Sequence, residues 1–179
     1  IEKIHSVDDH VGIASAGHVA DARKLIDVAR RQSQVNRLRY DEPIGVEALT
    51  KELTDYIQEY TQTGGARPFG VALLVGGIED GEPRLFETDP SGTPYEWQAT
   101  AIGGGRDEIM SLLEEEYTPE MDLDSAIGLA LEALATSTDD FDAAGVEVAT
   151  VDTETERFGS LSPDEVETHL AEADVGDDE

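Results

Sequence analysis

The sequence predicts an α+β chain arranged as a four-layer α-β-β-α sandwich, and two patterns carry that prediction. Amphipathic helical segments come in consecutive pairs, one after the first strand and one after the middle strands. Between the pairs lie apolar segments separated by tight-turn residues, which mark antiparallel hairpins. A sheet built from hairpins needs its apolar face covered, and paired helices supply a layer outside it. The element order reads β, α, α, β, β, β, α, α, β, β, α.

Each element has a local cause. In HVGIASAG (residues 10–17), Val11, Ile13 and Ser15 alternate in the manner of a strand, and the small residues suit tight packing. HVADARKLIDVARRQSQVNRLRY follows, with Ala22, Leu25, Ile26 and Ala29 on one helical face and Arg23, Lys24, Asp27, Arg30 and Arg31 on the other. Beyond Pro43, Val46, Leu49, Leu53, Tyr56, Ile57 and Tyr60 recur at three- and four-residue steps, a second amphipathic helix. Gly64 and Gly65 stand where a left-handed cap would end it.

FGVALLVGGIE then reads as a buried strand, residues 79–83 as a tight turn, and RLFETDP as the hairpin partner. DPSGTP is a further turn, and YEWQATAIG is expected as a third strand. A helix starts at DEIMSLLEEEY, with Asp107 expected as its cap. DLDSAIGLALEALA is expected to turn Ile127, Ala130, Leu131 and Leu134 inward. GVEVATVDTE and RFGSLS form an expected strand pair. Ser162, Pro163 and Glu165 supply an N-cap, a proline at the first helical position and a capping-box acid for a last short helix docked by Val166 and Leu170. Residues 1–173 are read as one domain and 174–179 as an acidic tail.

Composition restricts the function classes. A 179-residue chain with 39% hydrophobic residues can bury a core. No apolar run approaches the ~20 residues that cross a bilayer, and no basic-plus-apolar leader is read. Zero cysteines exclude disulfides and thiolate metal sites, and a cytoplasmic location is the simplest fit. With 41 acidic and 12 basic residues, the net charge of −29 disfavours nucleic acid as a partner. The imbalance is uneven: residues 107–179 hold 24 acids and one base, while residues 23–39 hold six of the 12 bases. A salt-rich cytoplasm, where the Debye length falls to about 3 Å at 1 M, screens such a surface. The basic helix reads either as a solvated face or as an interaction surface facing an acidic partner.

Candidate chemistry is sparse. His5, Asp8, Asp9, His10 and His18 include metal-ligating types without ligand spacing, and Asp8-Asp9 reads better as a turn between two strands. IGGGRDE lacks the Lys-Ser/Thr of a phosphate loop and reads as a helix entry. There is no cysteine, no G-x-S-x-G elbow and no nucleophile at Ile1, so no catalytic residue, cofactor or metal is expected.

Taken together, IEKI…DDHVGIASAGHVADAR, YTQTGGARPFG, PRLFETDPSGT and ATAIGGGRDE, in this order and spacing, resemble the α-type subunits of the archaeal 20S proteasome. The acidic composition is similar to that of a haloarchaeal version. The resemblance runs from Ile1 to about Ala173 and implies the N-terminal-nucleophile-hydrolase fold, without its first helix and opening hairpin. It further implies a non-catalytic subunit of a seven-membered outer ring, stacked on β subunits that carry the threonine nucleophile.

The resemblance also assigns residues. Thr63, Gly64, Gly65, Ala66, Arg67, Pro68 and Gly70 would border the entrance through which unfolded proteins pass. Glycines without Cβ allow a sharp turn there, and Arg67 before proline is held extended. Lys3, with Gly17, His18 and Val19, would form the pocket that receives the C-terminal carboxylate of an AAA ATPase regulator. His18 departs from the apolar residue of some relatives. Arg23, Lys24, Arg30 and Arg31 would lie on the helix that packs against the β ring. With the opening hairpin absent, these residues alone are expected to leave a sheet edge exposed and to form no gated ring. Two other readings compete: a catalytic N-terminal-nucleophile hydrolase, which needs a processed threonine at its start, and an unrelated acidic binding module that stays monomeric.

Overall fold

The computed structural model describes residues 3–62, 69–139 and 141–173. The chain divides into two compact units, residues 1–97 with 150–159, and residues 98–149 with 160–179.

The first unit is a sheet carrying two helices. Strands β1 (Ile4–Asp8), β2 (Val11–Gly17), β3 (Val71–Glu79), β4 (Glu82–Thr88) and β5 (Pro94–Glu96) form one antiparallel sheet in the order β1-β2-β3-β4-β5. Helices α1 (Val19–Tyr40) and α2 (Val46–Gln62) are inserted between β2 and β3, which are nevertheless neighbours. The two-residue period of a strand puts Val71, Leu73 and Val75 of β3 on one face, and Val11, Ile13 and Phe86 join them across the register. Ala22, Leu25, Ile26 and Ala29 of α1 and Val46, Leu49, Leu53 and Ile57 of α2 complete one buried cluster. Each valine, leucine or isoleucine of this cluster, fully buried, contributes roughly 1.5–3 kcal/mol.

The turns follow from their residues. Asp80 (φ 52°) and Gly81 (φ 78°) both adopt the left-handed conformation, as the two-residue mirror-image turn that matches strand twist requires. In the turn after β4, the Asp89 carboxylate accepts from the amides of Ser91 at 3.0 Å and Thr93 at 3.1 Å. Gly92 of that turn lies against α2, where Gln58 Nε2 donates to its carbonyl at 3.1 Å.

The second unit is helical: α3 (Arg106–Glu116), α4 (Leu123–Ala135) and α5 (Pro163–Glu172). Ile127 and Leu131 of α4 pack with Val166 and Leu170 of α5, whereas Ala133 packs with Ala101 and Ile109. The capping box of α5 forms as expected: Ser162 Oγ accepts from the Glu165 amide, and Glu165 returns a bond to the Ser162 amide. Short strands β6 (Ala149–Val151) and β7 (Phe158–Ser160) pair with each other.

Several local expectations are corrected. The element order omitted β1, although the turn assigned to Asp8-Asp9 required a strand before it. The third strand of the middle group shrinks to Pro94–Glu96, because the chain leaves the first unit after Trp97. On α4, Ala130 and Leu134 are exposed, while Leu129 and Ala133 are buried with Ile127 and Leu131. That helix is covered on two sides, by α3 and α5, so a one-face pattern misplaces its apolar residues. Gly105 (φ 73°), not Asp107, is the N-cap of α3, and Asp107 stands inside the first turn.

Candidate functional site

The candidate site forms where β2 runs into α1 and where the chain returns to the sheet at β3. Gly17 is the last residue of β2, with φ 121°, a conformation that L side chains avoid. A Cβ there would lie 2.3 Å from the Gly70 carbonyl oxygen, so the two segments meet backbone to backbone. Next to it, the His18 amide donates to that same oxygen at 2.9 Å. Gly70's own amide donates to Asp21 Oδ2, in the first turn of α1, also at 2.9 Å. Both polar backbone groups of Gly70 are therefore held by the start of α1.

Phe69, 2% exposed, fixes the other side. Its ring centroid lies 4.6 Å from that of Tyr60 and 6.0 Å from that of Tyr56, both on α2. Tilted aromatic contacts at these distances are favourable beyond their buried area. Lys24 of α1 places its ammonium 4.4 Å from the Tyr60 ring centroid, a cation–π contact that closes the circuit between the helices.

Of the residues assigned by sequence, Lys3, Gly17, His18 and Val19 come together at one end of the β1–β2 hairpin. The Lys3 carbonyl accepts from the Ser15 amide at 3.0 Å, two residues before Gly17. Lys3, His18 and Val19 are exposed. His18 is the N-cap of α1 but makes no side-chain cap bond; its Nδ1 lies 3.8 Å from Asp21 Oδ1. Thr63, Gly64, Gly65, Ala66, Arg67 and Pro68 lie outside the described residues, as does the expected glycine cap of α2.

Along α1, Arg23, Lys24, Arg30 and Arg31 are all exposed. Two of them turn back onto the chain: Lys24 to Tyr60, and Arg30, whose Nε and Nη2 donate to the Ser6 carbonyl at 3.1 and 3.0 Å. Arg23 and Arg31 present their charge outward. Sequence reading missed two neighbours, Leu38 (86% exposed) and Tyr40 (65% exposed), at the end of the same helix. It also missed Asp21, whose partner lies 49 residues away. An apolar residue breaking the polar face of a helix is the signal that could have found Leu38.

The His/Asp-rich start of the chain is used structurally. His10 is buried, with Nε2 2.6 Å from the Ile44 carbonyl oxygen, and Asp8 pairs with Arg37 at 2.8 Å. Among the described residues, no group of three or more His, Cys, Asp or Glu is placed to hold a metal ion. Among the same residues, no helix is long and apolar enough to cross a membrane. At the entry to α3, the Ser137 side chain occupies the space where a Cβ on Gly105 would sit.

A sheet with a helix pair packed on it and tied to it at glycines is an arrangement for which comparison supplies a family. The family described as "Proteasome subunit" matches residues 1–151, and the chain belongs to that family. The fold class is accordingly its α-β-β-α type. Within the family the similarity is to α-type subunits of halophilic archaea. The chain is 70% identical over 180 residues to "Proteasome subunit alpha 2" of Haloarcula marismortui, covering 100% of this chain and 74% of that one. It is 65% identical over 176 residues to "Proteasome subunit alpha" of Haloquadratum walsbyi, covering 98% and 70%. The likeness extends to "Proteasome subunit alpha" of Methanosarcina acetivorans, 50% identical over 171 residues, covering 95% and 69%.

Proposed function

We propose that the protein is a non-catalytic α-type subunit of a proteasome core particle, active in the cytoplasm of a halophile. It forms a seven-membered outer ring with copies of itself or other α subunits and stacks on β subunits that carry the threonine nucleophile. Unfolded protein substrates enter past Thr63, Gly64, Gly65, Ala66, Arg67, Pro68 and Gly70. An AAA ATPase regulator docks its C-terminal carboxylate at Lys3, Gly17, His18 and Val19. Arg23 and Arg31, with Leu38 and Tyr40 beside Arg39, face the β ring.

The single observation that carries this reading is 70% identity across the whole chain to a protein named as an α subunit. Local geometry supports the details. Lys3 and the Gly17–Val19 corner share one end of a hairpin, and a lysine ammonium suits a terminal carboxylate as a point charge.

The test is Lys3→Ala in the full-length protein assembled with its β partner. ATPase docking is expected to weaken about tenfold, or about 1.4 kcal/mol, while hydrolysis of short peptides stays unchanged. Unaltered docking would remove the pocket assignment. Peptide cleavage by the α chain alone would remove the non-catalytic role and favour the hydrolase reading.

A further inference from the structure

The geometry points to Asp21 as a positioning residue that couples the docking corner at His18 and Val19 to the strand entry at Phe69 and Gly70. This rests on the docking role proposed for that corner.

Asp21 is 7% exposed, and its two carboxylate oxygens face two different segments. Oδ2 accepts the Gly70 amide at 2.9 Å; Oδ1 faces His18 Nδ1 at 3.8 Å. The His18 amide also donates to the Gly70 carbonyl at 2.9 Å. Gly70 is thus held from both its polar groups by one helical turn, and that turn carries the exposed His18 and Val19. An ionised acceptor makes the bond to the Gly70 amide charge-assisted, roughly twice as strong as a neutral one.

The strand entry cannot absorb a movement by slipping. Phe69 is buried against Tyr56 and Tyr60, and Gly17 already stands against the Gly70 carbonyl. Close-packed contacts of this kind transmit displacement. A partner that pulls the start of α1 through His18 or Val19 therefore acts on Gly70 directly, through one carboxylate. Asp21, itself buried, acts as the relay.

The experiment uses the full-length protein assembled with its β partner, and a peptide copying the C-terminal residues of a haloarchaeal proteasomal ATPase, with its free carboxylate. Amide hydrogen exchange is followed across residues 69–78 with and without peptide. In the wild type, docking is expected to change exchange at Gly70 and Val71 by about tenfold, the weight of one charge-assisted hydrogen bond. Asp21→Ala should abolish that response while the peptide still binds. Asp21→Asn, which keeps an acceptor oxygen, should restore most of it. A role confined to stability would lower the melting temperature of both variants and leave the docking response intact.

An undiminished response in Asp21→Ala, or an Asn variant as defective as the Ala variant, overturns the inference. Lys3→Ala separates it from the reading beneath. If Lys3→Ala abolishes binding but Asp21→Ala still responds fully, only the coupling fails. If the peptide does not bind the wild type at all, the docking role and the coupling fall together.

Discussion

Arg37 near the end of α1 donates its Nε–H to Asp8 Oδ2 at 2.8 Å, tying the helix to the turn between β1 and β2. Burial works to raise the Asp8 carboxyl. The Arg37 hydrogen bond, the Asp9 amide and the charges of Arg37 and His10 outweigh it and hold Asp8 below its ordinary value. A carboxylate depressed in the fold contributes stability that is complete above the ordinary carboxylate range and is lost as pH falls through the folded value. Arg37→Met removes the main lowering partner, so acid unfolding should begin at higher pH than in the wild type. At neutral pH the cost is small, about 0.5–1 kcal/mol, as for other half-exposed pairs. Melting temperature followed against pH checks both parts; an unmoved acid limb would show that the pair does not matter.

Arg84 on β4 is the hub of a denser arrangement. Its guanidinium reaches Glu79 at 2.6 Å, Glu96 at 2.6 Å and Glu47, at the start of α2, at 3.3 Å. Glu79 in turn accepts from the Glu47 amide at 3.3 Å, so the cluster fastens α2 to the β3–β4 hairpin. Arg84→Met leaves three carboxylates facing one another and should cost about 1–3 kcal/mol, between the values for exposed and buried pairs. Adding Glu79→Gln should recover part of that loss, since one repelling charge is removed. The midpoint of denaturant unfolding measures both, and an additive double variant would contradict the cluster.

Two glycines that face each other at the candidate site should respond very unequally to the same change. Gly17 has φ 121°, and a methyl there would press on the Gly70 carbonyl oxygen at 2.3 Å. Gly70 would place its methyl 3.7 Å from the Asp21 carboxylate and from His18 Cβ, an ordinary contact. Gly17→Ala should therefore cost more than about 2 kcal/mol, whereas Gly70→Ala should stay within about 0.5 kcal/mol. Comparable losses in the two variants, read from thermal unfolding, would be inconsistent with this geometry.

Legibility in the sequence followed the range of the interactions. Elements set by local periodicity were readable almost to the residue: α1, α2 and the Ser162 capping box all form where the pattern puts them. The β3–β4 hairpin was readable because Asp80-Gly81 is itself a turn signal. What failed depended on distant partners. Leu134 was misplaced because α4 is covered from two sides, and the cap of α3 falls at Gly105, whose left-handed backbone (φ 73°) stands close against Ser137, a contact set by the fold. At the candidate site, Gly17 and Gly70 were identifiable through family motifs, but Asp21 was not. In sequence it is an ordinary first-turn acid, favourable at any helix start, and its bond to Gly70 exists only once the sheet has formed.

Salt should stabilise the two units unequally. The second unit holds 13 acids in residues 98–149 and eight in 160–179, against Arg106 alone. The first unit holds the other 11 bases, and in it Arg37 and Arg84 pair with carboxylates at 2.6–3.3 Å. Raising salt from about 0.1 M to 1 M shortens the Debye length from ~10 to ~3 Å. Contacts already at hydrogen-bond distance lose little by this, while repulsion between acids spread over a helix surface is largely removed. The net effect on the chain is stabilising, and it is concentrated in α3, α4 and α5. As potassium chloride is withdrawn, amide hydrogen exchange should rise first in those three helices and only later in α1 and α2. Simultaneous loss of protection in both units would indicate a single cooperative structure, and earlier loss in α1 would reverse the electrostatic account.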